Sequence, residues 1–306
     1  MTTKVVFPAA GLGTRFLPVT KALPKELLPL VDTPLIQYGI EEAAQSGLTD
    51  VYIITGRGKG AIEDYFDSNI ELEGVLSARH TLGLLETVRR IAEKINIAYI
   101  RQREPKGLGH AVLCAKTHVR GETFGVVLAD DVIFAEVPCM AQLLNVYATV
   151  KAPVVALMHV PRHEVSSYGI IRGTQVHGFR TRQPVYKLNR LVEKPTPESA
   201  PSELAVIGRY ILTPAVMECL DGLDPGTGGE IQLTDALNAV AGMGPVYGVC
   251  FDGKRYDAGS RLGFIKATIE FALRRSDLQS ELREYLCELT QGIQCTAGSG
   301  RAFQRE

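Results

Sequence analysis

The run Ala9-Ala10-Gly11-Leu12-Gly13-Thr14-Arg15 follows an apolar stretch, Val5-Val6-Phe7, with only Pro8 between them. Glycines in such a place let backbone N–H groups approach phosphate oxygens and tolerate positive φ. The same spacing also serves a plain strand-to-helix turn, so the glycines alone leave both uses open. Two departures narrow the chemistry. A dinucleotide fingerprint needs a third glycine where Phe16 stands, and the Gly-Lys-Ser/Thr of a P-loop is missing. The chain continues through Pro18, Pro24 and Pro29, carrying Arg15, Lys21 and Lys25. Prolines at that density predict an extended path over a sheet edge. Cations on it could clamp a triphosphate, or belong to a solvated basic loop. A second cluster, Asp130-Asp131, follows the apolar run Val126-Val127-Leu128. A carboxylate at the carboxyl end of a strand suits Mg2+, which takes one or two protein carboxylates and fills its shell from substrate phosphates. A single Asp is more often a turn or cap residue; the doublet after an apolar strand favours the metal. Asp131 could instead contact substrate or order water. There is no Ser-His-Asp pattern to suggest a covalent intermediate.

The elements that must hold these residues alternate. Strands are expected at Val5-Val6-Phe7, Val51 to Ile54, Ile97 to Ile100, Val126 to Leu128 and Val154 to Leu157. Between them fall helical stripes: Leu35, Ile36, Ile40, Ala43 and Ala44, opened by Thr33 as N-cap with Pro34 behind it; then Leu84, Leu85, Val88, Ile91, Ala92 and Ile95; then Met140 to Val150. Apolar strands separated by amphipathic helices indicate an α/β fold, a Rossmann-like, mostly parallel mixed sheet flanked by helices. Ligands of such sheets bind beyond the carboxyl ends of the strands. From about Tyr168 to Leu212 short β-like runs dominate, a small added β region that is partly antiparallel and walls one side of the cleft. Helices return at Ile231 to Ala241 and from Gly263 onward. This predicts one domain over residues 1–292, with the β-rich part at about 165–212, C-terminal helices at about 263–292, and a flexible tail over 293–306.

Composition limits the partners. The 306 residues carry 33 basic and 34 acidic side chains, without the basic excess or block of a nucleic-acid-binding protein. Trp is absent, so no Trp platform for carbohydrate exists. Cys114, Cys139, Cys219, Cys250, Cys287 and Cys295 show no C-x-x-C spacing, and read as reduced core residues rather than a zinc site. No signal peptide precedes Lys4, and no apolar stretch reaches the ~20 residues that span a membrane, so a cytoplasmic protein without membrane partners is expected.

Gly11-x-Gly13-Thr14-Arg15 followed by Pro24-Lys25-Glu26-Leu27-Leu28-Pro29 resembles the signature of the sugar-phosphate nucleotidyltransferases. The run from Lys21 to Tyr38, containing Asp32, Pro34 and Gln37, is similar to the bacterial members that join UTP and glucose 1-phosphate into UDP-glucose and pyrophosphate. The resemblance extends from the first strand to about residue 290. It implies that Arg15 and Lys25 hold the triphosphate as catalytic cations, with Gly13 and Thr14 in the same loop. It implies Mg2+ held by Asp130 and by Asp257, in Tyr256-Asp257-Ala258-Gly259-Ser260. Gln102 and the stretch Gly107-Leu108-Gly109-His110-Ala111 resemble the base-reading segment, with Ala10 and Gly11 completing the uracil pocket; an amide both donates and accepts, which suits uracil. His110 itself lines that pocket or is a satisfied helix residue. Val192-Glu193-Lys194-Pro195 resembles the sugar-phosphate motif, Glu193 taking glucose hydroxyls and Lys194 the phosphate, with Gly169 and Gly208 bringing backbone toward the sugar. Each of those glycines would equally suit a bulge. Gly229 to Asp235 matches as a helix start near the sugar. Glu73 to Lys94 and the tail from Gly298 diverge. The resemblance further implies a homodimer or homotetramer; Phe264, Ile265, Ile269, Phe271 and Leu273 suit a dimer face or an internal core. dTTP in place of UTP is the first rival, a weakly active regulatory paralogue the second; Phe16 and the basic loop argue against an NAD oxidoreductase.

Overall fold

The computed structural model describes residues 2–90 and 95–297. In chain order the strands are β1 (Lys4–Pro8), β2 (Pro29–Leu30), β3 (Thr33–Pro34), β4 (Asp50–Thr55), β5 (Asn96–Arg101), β6 (Phe124–Val127), β7 (Asp131–Phe134), β8 (Val154–His159), β9 (Gly169–Val176), β10 (Val185–Glu193), β11 (Leu204–Leu212), β12 (Tyr247–Cys250) and β13 (Lys254–Asp257). The helices are α1 (Leu35–Gln45), α2 (Gly60–Phe66), α3 (Ile70–Ala78), α4 (Leu82–Arg90), α5 (Gly107–Leu113), α6 (Lys116–Val119), α7 (Cys139–Val150), α8 (Pro214–Asp221), α9 (Leu233–Met243), α10 (Arg261–Ala272) and α11 (Gln279–Ala297).

Among the described residues one nine-stranded sheet runs in the order β5-β4-β1-β6-β11-β8-β12-β10-β9. The block β5-β4-β1-β6 is parallel throughout. Its strands are apolar on both faces because both are covered: Val5 and Phe7 face a cluster with Ile36, Ile40 and Leu143, and Val6 and Ile54 face one with Val112, Val216 and Leu220. Past β6 the sheet changes sense. β11 is antiparallel to β6 and β8, β12 is parallel to β8, and β10 is antiparallel to β12 and β9. Half of the joins between neighbours are therefore antiparallel. The strands expected as a small added region are members of the same sheet; β11 lies at its centre, buried at every residue.

Two departures from regular pairing shape the carboxyl edge. The register of β11 against β8 slips between Val206 and Tyr210, and β9 bends back to pair with Ala205 and Val206. That bulge projects Gly208 and Arg209 toward the turn after β6. Separately, β7 and β13 form a two-stranded ribbon that sets Asp131 opposite Asp257, residues 126 apart in sequence.

Several local expectations are corrected. Thr33 does not cap α1: Thr33 and Pro34 pair with β2, Pro34 takes the cap position without a side-chain bond, and the Thr33 hydroxyl goes to Asp32 at 3.1 Å. The proline-rich loop is not extended. It coils into 3-10 turns at Thr14–Phe16, Val19–Lys21 and Lys25–Leu27, since proline's fixed φ serves tight turns as well as extended chain. Of the second stripe, Leu84, Leu85 and Val88 lie on α4, Ile91 and Ala92 lie outside the described residues, and Ile95 directly precedes β5. α11 continues to Ala297, past the point where the tail was expected, and residues 298–306 lie outside the described part. Of the cysteines only Cys139 is buried; Cys114, Cys219 and Cys250 are partly covered, Cys287 is exposed on α11, and the side chain of Cys295 is not described.

Candidate active site

The turn Leu128-Ala129-Asp130-Asp131, between β6 and β7, is fixed at almost every polar atom. Arg209, 1% exposed, donates to the carbonyl oxygens of Leu128 at 3.1 Å and Asp131 at 2.7 Å. Its charge is met by Glu42 of α1, whose carboxylate receives Nη2 at 2.8 Å and also accepts from the Met140 N–H at 3.0 Å. The Ala258 N–H donates to Asp130 O at 2.8 Å. The Asp131 carboxylate is buried: Oδ2 accepts from the Gly208 N–H at 2.7 Å and Oδ1 from Arg255 Nε at 2.6 Å. Burial pushes the Asp131 carboxyl up although Arg255 opposes it. Asp131 is thus a structural member that holds Gly208 and Arg255, and is not a free ligand. A β-carbon on Gly208 would lie 2.6 Å from Asp131 Oδ2 and 2.6 Å from Leu128 Cβ, so only glycine fits there.

Asp130 is turned the other way, into the cleft. Its Oδ2 accepts from Lys25 Nζ at 2.6 Å. Burial opposes its ionisation, but the Lys25 ammonium prevails and holds the carboxyl below its usual value. Asp257 lies beside it: a β-carbon on Gly259 would be 2.9 Å from Asp130 Oδ2 and 3.2 Å from Asp257 Oδ1. Two hard carboxylate oxygens around one small residue suit Mg2+ with substrate oxygens completing the shell. Among the described residues no group of three or more His, Cys, Asp or Glu side chains forms a site made by protein alone.

The glycine loop runs above this turn. Gly13 is left-handed at φ 67°, and Thr20 closes the loop by donating to Gly13 O at 2.8 Å. Arg15 Nη1 reaches Gly259 O at 3.4 Å, and Arg261 donates to Arg15 O at 2.8 Å. Phe16, where a dinucleotide fold has glycine, packs edge-on against Phe264 of α10 at 5.6 Å. Lys25 is followed by Glu26, 2% exposed, which bonds Lys59 Nζ at 2.6 Å through Oε2; its Oε1 has no hydrogen-bond partner. Lys21 is exposed and away from these contacts.

A cleft of about 570 Å3 opens beside the acidic turn, lined by Arg15, Asp130, Asp131 and Asp257 together with Gly169, Glu193, Lys194 and Gly208. Lys194 is left-handed at φ 44°, an uncommon conformation for a side-chain-bearing residue, and its N–H is held by Tyr168 O at 3.0 Å. Glu193 Oε2 accepts from Thr234 Oγ1 at 2.7 Å. Gly169 leaves room for that carboxylate, since a β-carbon would come within 3.3 Å of Glu193 Oε2. The predicted helix start after Gly229 arrives as α9, whose cap residue Gln232 and second residue Thr234 both line the cleft.

Ala10, Gly11, Gly13, Thr14, Lys25, Gln102 and Gly107 do not line this cavity; Ala10 and Gly11 follow β1, Gln102 follows β5, Gly107 opens α5, and Lys25 opens the last 3-10 turn of the loop, against Asp130. Gln102 is buried, with Nε2 2.8 Å from His110 Nδ1. Sequence reasoning missed Arg255, Tyr168 and Tyr210, which also line the cleft. Arg255 also donates to the Tyr168 hydroxyl at 2.9 Å and lies 3.8 Å from Asp257 Oδ1. Its only sequence signal is its place two residues before Asp257. Arg209 gave none, since an arginine inside an apolar strand looks like an outward-facing residue.

The cations Arg15 and Lys25, the carboxylate pair Asp130 and Asp257, and the Glu193 carboxylate meet at one sheet edge, residue types that an enzyme moving a nucleotidyl group between phosphates can use. The family described as Nucleotidyl transferase matches residues 4–272, and the chain belongs to that family. Among its relatives, the UTP–glucose-1-phosphate uridylyltransferase YngB of Bacillus subtilis (strain 168) is 50% identical over 285 residues, covering 92% of this chain and 94% of that protein. A solved UDP-glucose pyrophosphorylase complexed with UDP-glucose superposes with a TM-score of 0.82 at 44% identity, covering 90% of this chain and 100% of that one. The UTP-bound enzyme from Acinetobacter baumannii gives 0.86 at 36% identity, over 94% and 100% of the two chains.

Proposed function

We propose that the protein transfers the uridylyl group of UTP to glucose 1-phosphate, giving UDP-glucose and pyrophosphate. One observation carries the reading: Arg15, Asp130, Asp257, Glu193 and Lys194 all line a single cleft, so groups suited to the triphosphate and to the sugar phosphate can meet at one phosphorus. The relatives' names and the UTP- and UDP-glucose-bound structures support this choice of substrates.

The sugar phosphate is already an anionic nucleophile, so no general base is required. One of its oxygens attacks the α-phosphorus in line, the bond to the bridging oxygen breaks, and pyrophosphate leaves with that electron pair. The protein's work is positioning and charge neutralisation. Arg15 and Lys25 hold the triphosphate, with Gly11, Gly13 and Thr14 supplying the loop. Lys194 holds the sugar phosphate, Glu193 accepts from sugar hydroxyls, and Gly169 and Gly208 let them approach the backbone. Ala10, Gln102 and Gly107 meet the base. Asp130 and Asp257 would hold Mg2+, which when bound draws charge from the phosphate oxygens. Lys25 now pairs with Asp130 and would turn to phosphate as nucleotide arrives.

The proposed unit is a single domain over residues 1–292 in the cytoplasm, assembling as a homodimer or homotetramer. Leu262 and Ile265 of α10, 63% and 55% exposed, support a self-associating face there, while Phe264 and Phe271 pack inward. The test is pyrophosphate release from the purified protein with magnesium, glucose 1-phosphate and each of UTP, dTTP, ATP, CTP and GTP. Release with UTP above the others is expected. Equal or faster release with dTTP would move the function to thymidylyl transfer. No release with any nucleotide from folded protein would overturn the reading.

A further inference from the structure

One histidine ring beside the base-reading segment has no part in the transfer proposed above. His110, on α5, is partly buried, and its Nδ1 lies 2.8 Å from Gln102 Nε2. The same Nε2 lies 3.4 Å from the carbonyl oxygen of Gly107. A peptide oxygen only accepts, so the edge of the amide turned toward Gly107 is its NH2. That carbonyl is held in place. The Ile231 N–H donates to Lys106 O at 2.8 Å and the Gly109 N–H to Ile231 O at 2.8 Å, so Lys106 and Gly109, on either side of Gly107, are fixed to the segment before α9. The fit is tight: a β-carbon at 107 would lie 2.9 Å from Glu230 Cβ.

With the amide set by Gly107, its other hydrogen points at His110 Nδ1. That nitrogen then carries the lone pair, and the ring is neutral with its proton on Nε2. Burial, with help from Lys106 and against Glu104, keeps this imidazole below its ordinary value, which agrees with a neutral ring at neutral pH. Both amide hydrogens are thereby used. Gln102 Oε1 takes part in no hydrogen bond among the described residues, yet it is not among the fully occluded unpaired atoms. It is the accessible acceptor of the side chain.

We propose that His110 is a positioning residue that locks the Gln102 amide with its oxygen outward, so that the site admits a pyrimidine whose N3 carries a proton and rejects one whose N3 carries a lone pair. Uracil and thymine are imides and donate from N3; cytosine sets a lone pair against Oε1. To accept cytosine the amide must turn over, which places Oε1 against both Gly107 O and the His110 lone pair. The inference rests on the pyrimidine-nucleotide reading of the preceding subsection and adds how the ring is told apart.

The test compares UTP with CTP, by initial rates and by calorimetric binding without turnover, in the full chain and in His110→Ala and His110→Asn. Asn offers an oxygen at the Nδ1 position and should keep the preference. Ala should lower the UTP/CTP ratio about tenfold, the worth of one hydrogen bond, mainly by admitting CTP. An unchanged ratio in a folded Ala variant overturns the proposal. Should that variant not fold, nitrogen chemical shifts of the histidine rings in the unsubstituted protein decide: a proton on Nε2 of His110 supports the lock, and one on Nδ1 overturns it. Failure of the uridylyl reading shows separately, as no pyrophosphate from any nucleotide in the unsubstituted protein, while the binding comparison still reports the amide.

Discussion

The acidic turn Leu128–Asp131 and the glycine loop Gly11–Lys25 lie together at the carboxyl edge, yet they are built by opposite means. The turn is tied by buried Arg209 and Arg255, by the Gly208 and Ala258 N–H groups, and by a bulge in the central strand. The loop is mostly exposed, with Leu12 70% and Leu17 49% accessible, and is tied down by Thr20, Arg261 and the Lys25–Asp130 pair. On the proposed reading the turn carries a metal ligand, which must be in place before the reaction, because reorganising it during the reaction costs rate. On the same reading the loop closes on a triphosphate, so it must be able to move and is drawn from the weakly held part of the chain.

Stability and activity should therefore separate between the two regions. The largest effect is expected for Arg209→Met. It strands the Glu42 carboxylate in the core, and a buried charge left unpaired costs about 3–5 kcal/mol. Denaturant unfolding reads this directly; wild-type stability would show that the turn does not depend on the buried pair. Next is Asp130→Asn, with turnover at saturating magnesium down on the order of 10² to 10³ and little change in unfolding, as for removal of a group that stabilises charge in the transition state. Near-normal turnover would take Asp130 out of the metal site.

The two glycines make the sharpest pair. Gly208→Ala forces a methyl against Asp131 Oδ2 and Leu128 at 2.6 Å, and overpacking of this kind costs about 1–3 kcal/mol. Gly11→Ala meets only Lys25 Cε, at 3.8 Å, and should stay within about 0.5 kcal/mol; its effect belongs in the KM for UTP. Similar melting temperatures for both variants would erase the distinction. The effect read in KM alone is that of Lys194→Ala, whose side chain is 61% exposed. It should raise the KM for glucose 1-phosphate about tenfold, as loss of one charge-assisted bond, and more than the KM for UTP. Equal changes for both substrates would separate Lys194 from the sugar phosphate.

What was legible in the sequence followed local rules. Val5-Val6-Phe7, Val51 to Ile54 and Val126-Val127 are apolar throughout because two helical layers cover them, and that pattern alone announces a buried parallel block. Arg15, Asp130, Asp257, Gly169, Glu193, Lys194 and Gly208 were named from short motifs and do meet at one cleft. Less legible was the sense of the later strands, because apolar runs joined by turns carry no sign of direction. The loop from Pro18 to Pro29 was misjudged for a related reason: proline fixes φ but leaves ψ free, and ψ separates an extended path from a 3-10 turn.

The sequence by itself determined which residue types carry the chemistry and which segments form the buried parallel strands, since side-chain type and periodicity are properties of the chain; β7, β12 and β13 it did not announce. Only the tertiary structure decided what each charge is paired with. Asp130 and Asp131 are neighbours of the same kind, yet one pairs with Lys25 while the carboxylate of the other is taken up by Gly208 and Arg255. Asp130 sits in the turn and Asp131 opens β7, and the partners of the latter come from residues up to 124 positions away. No local pattern encodes that meeting; it exists only once the sheet is assembled.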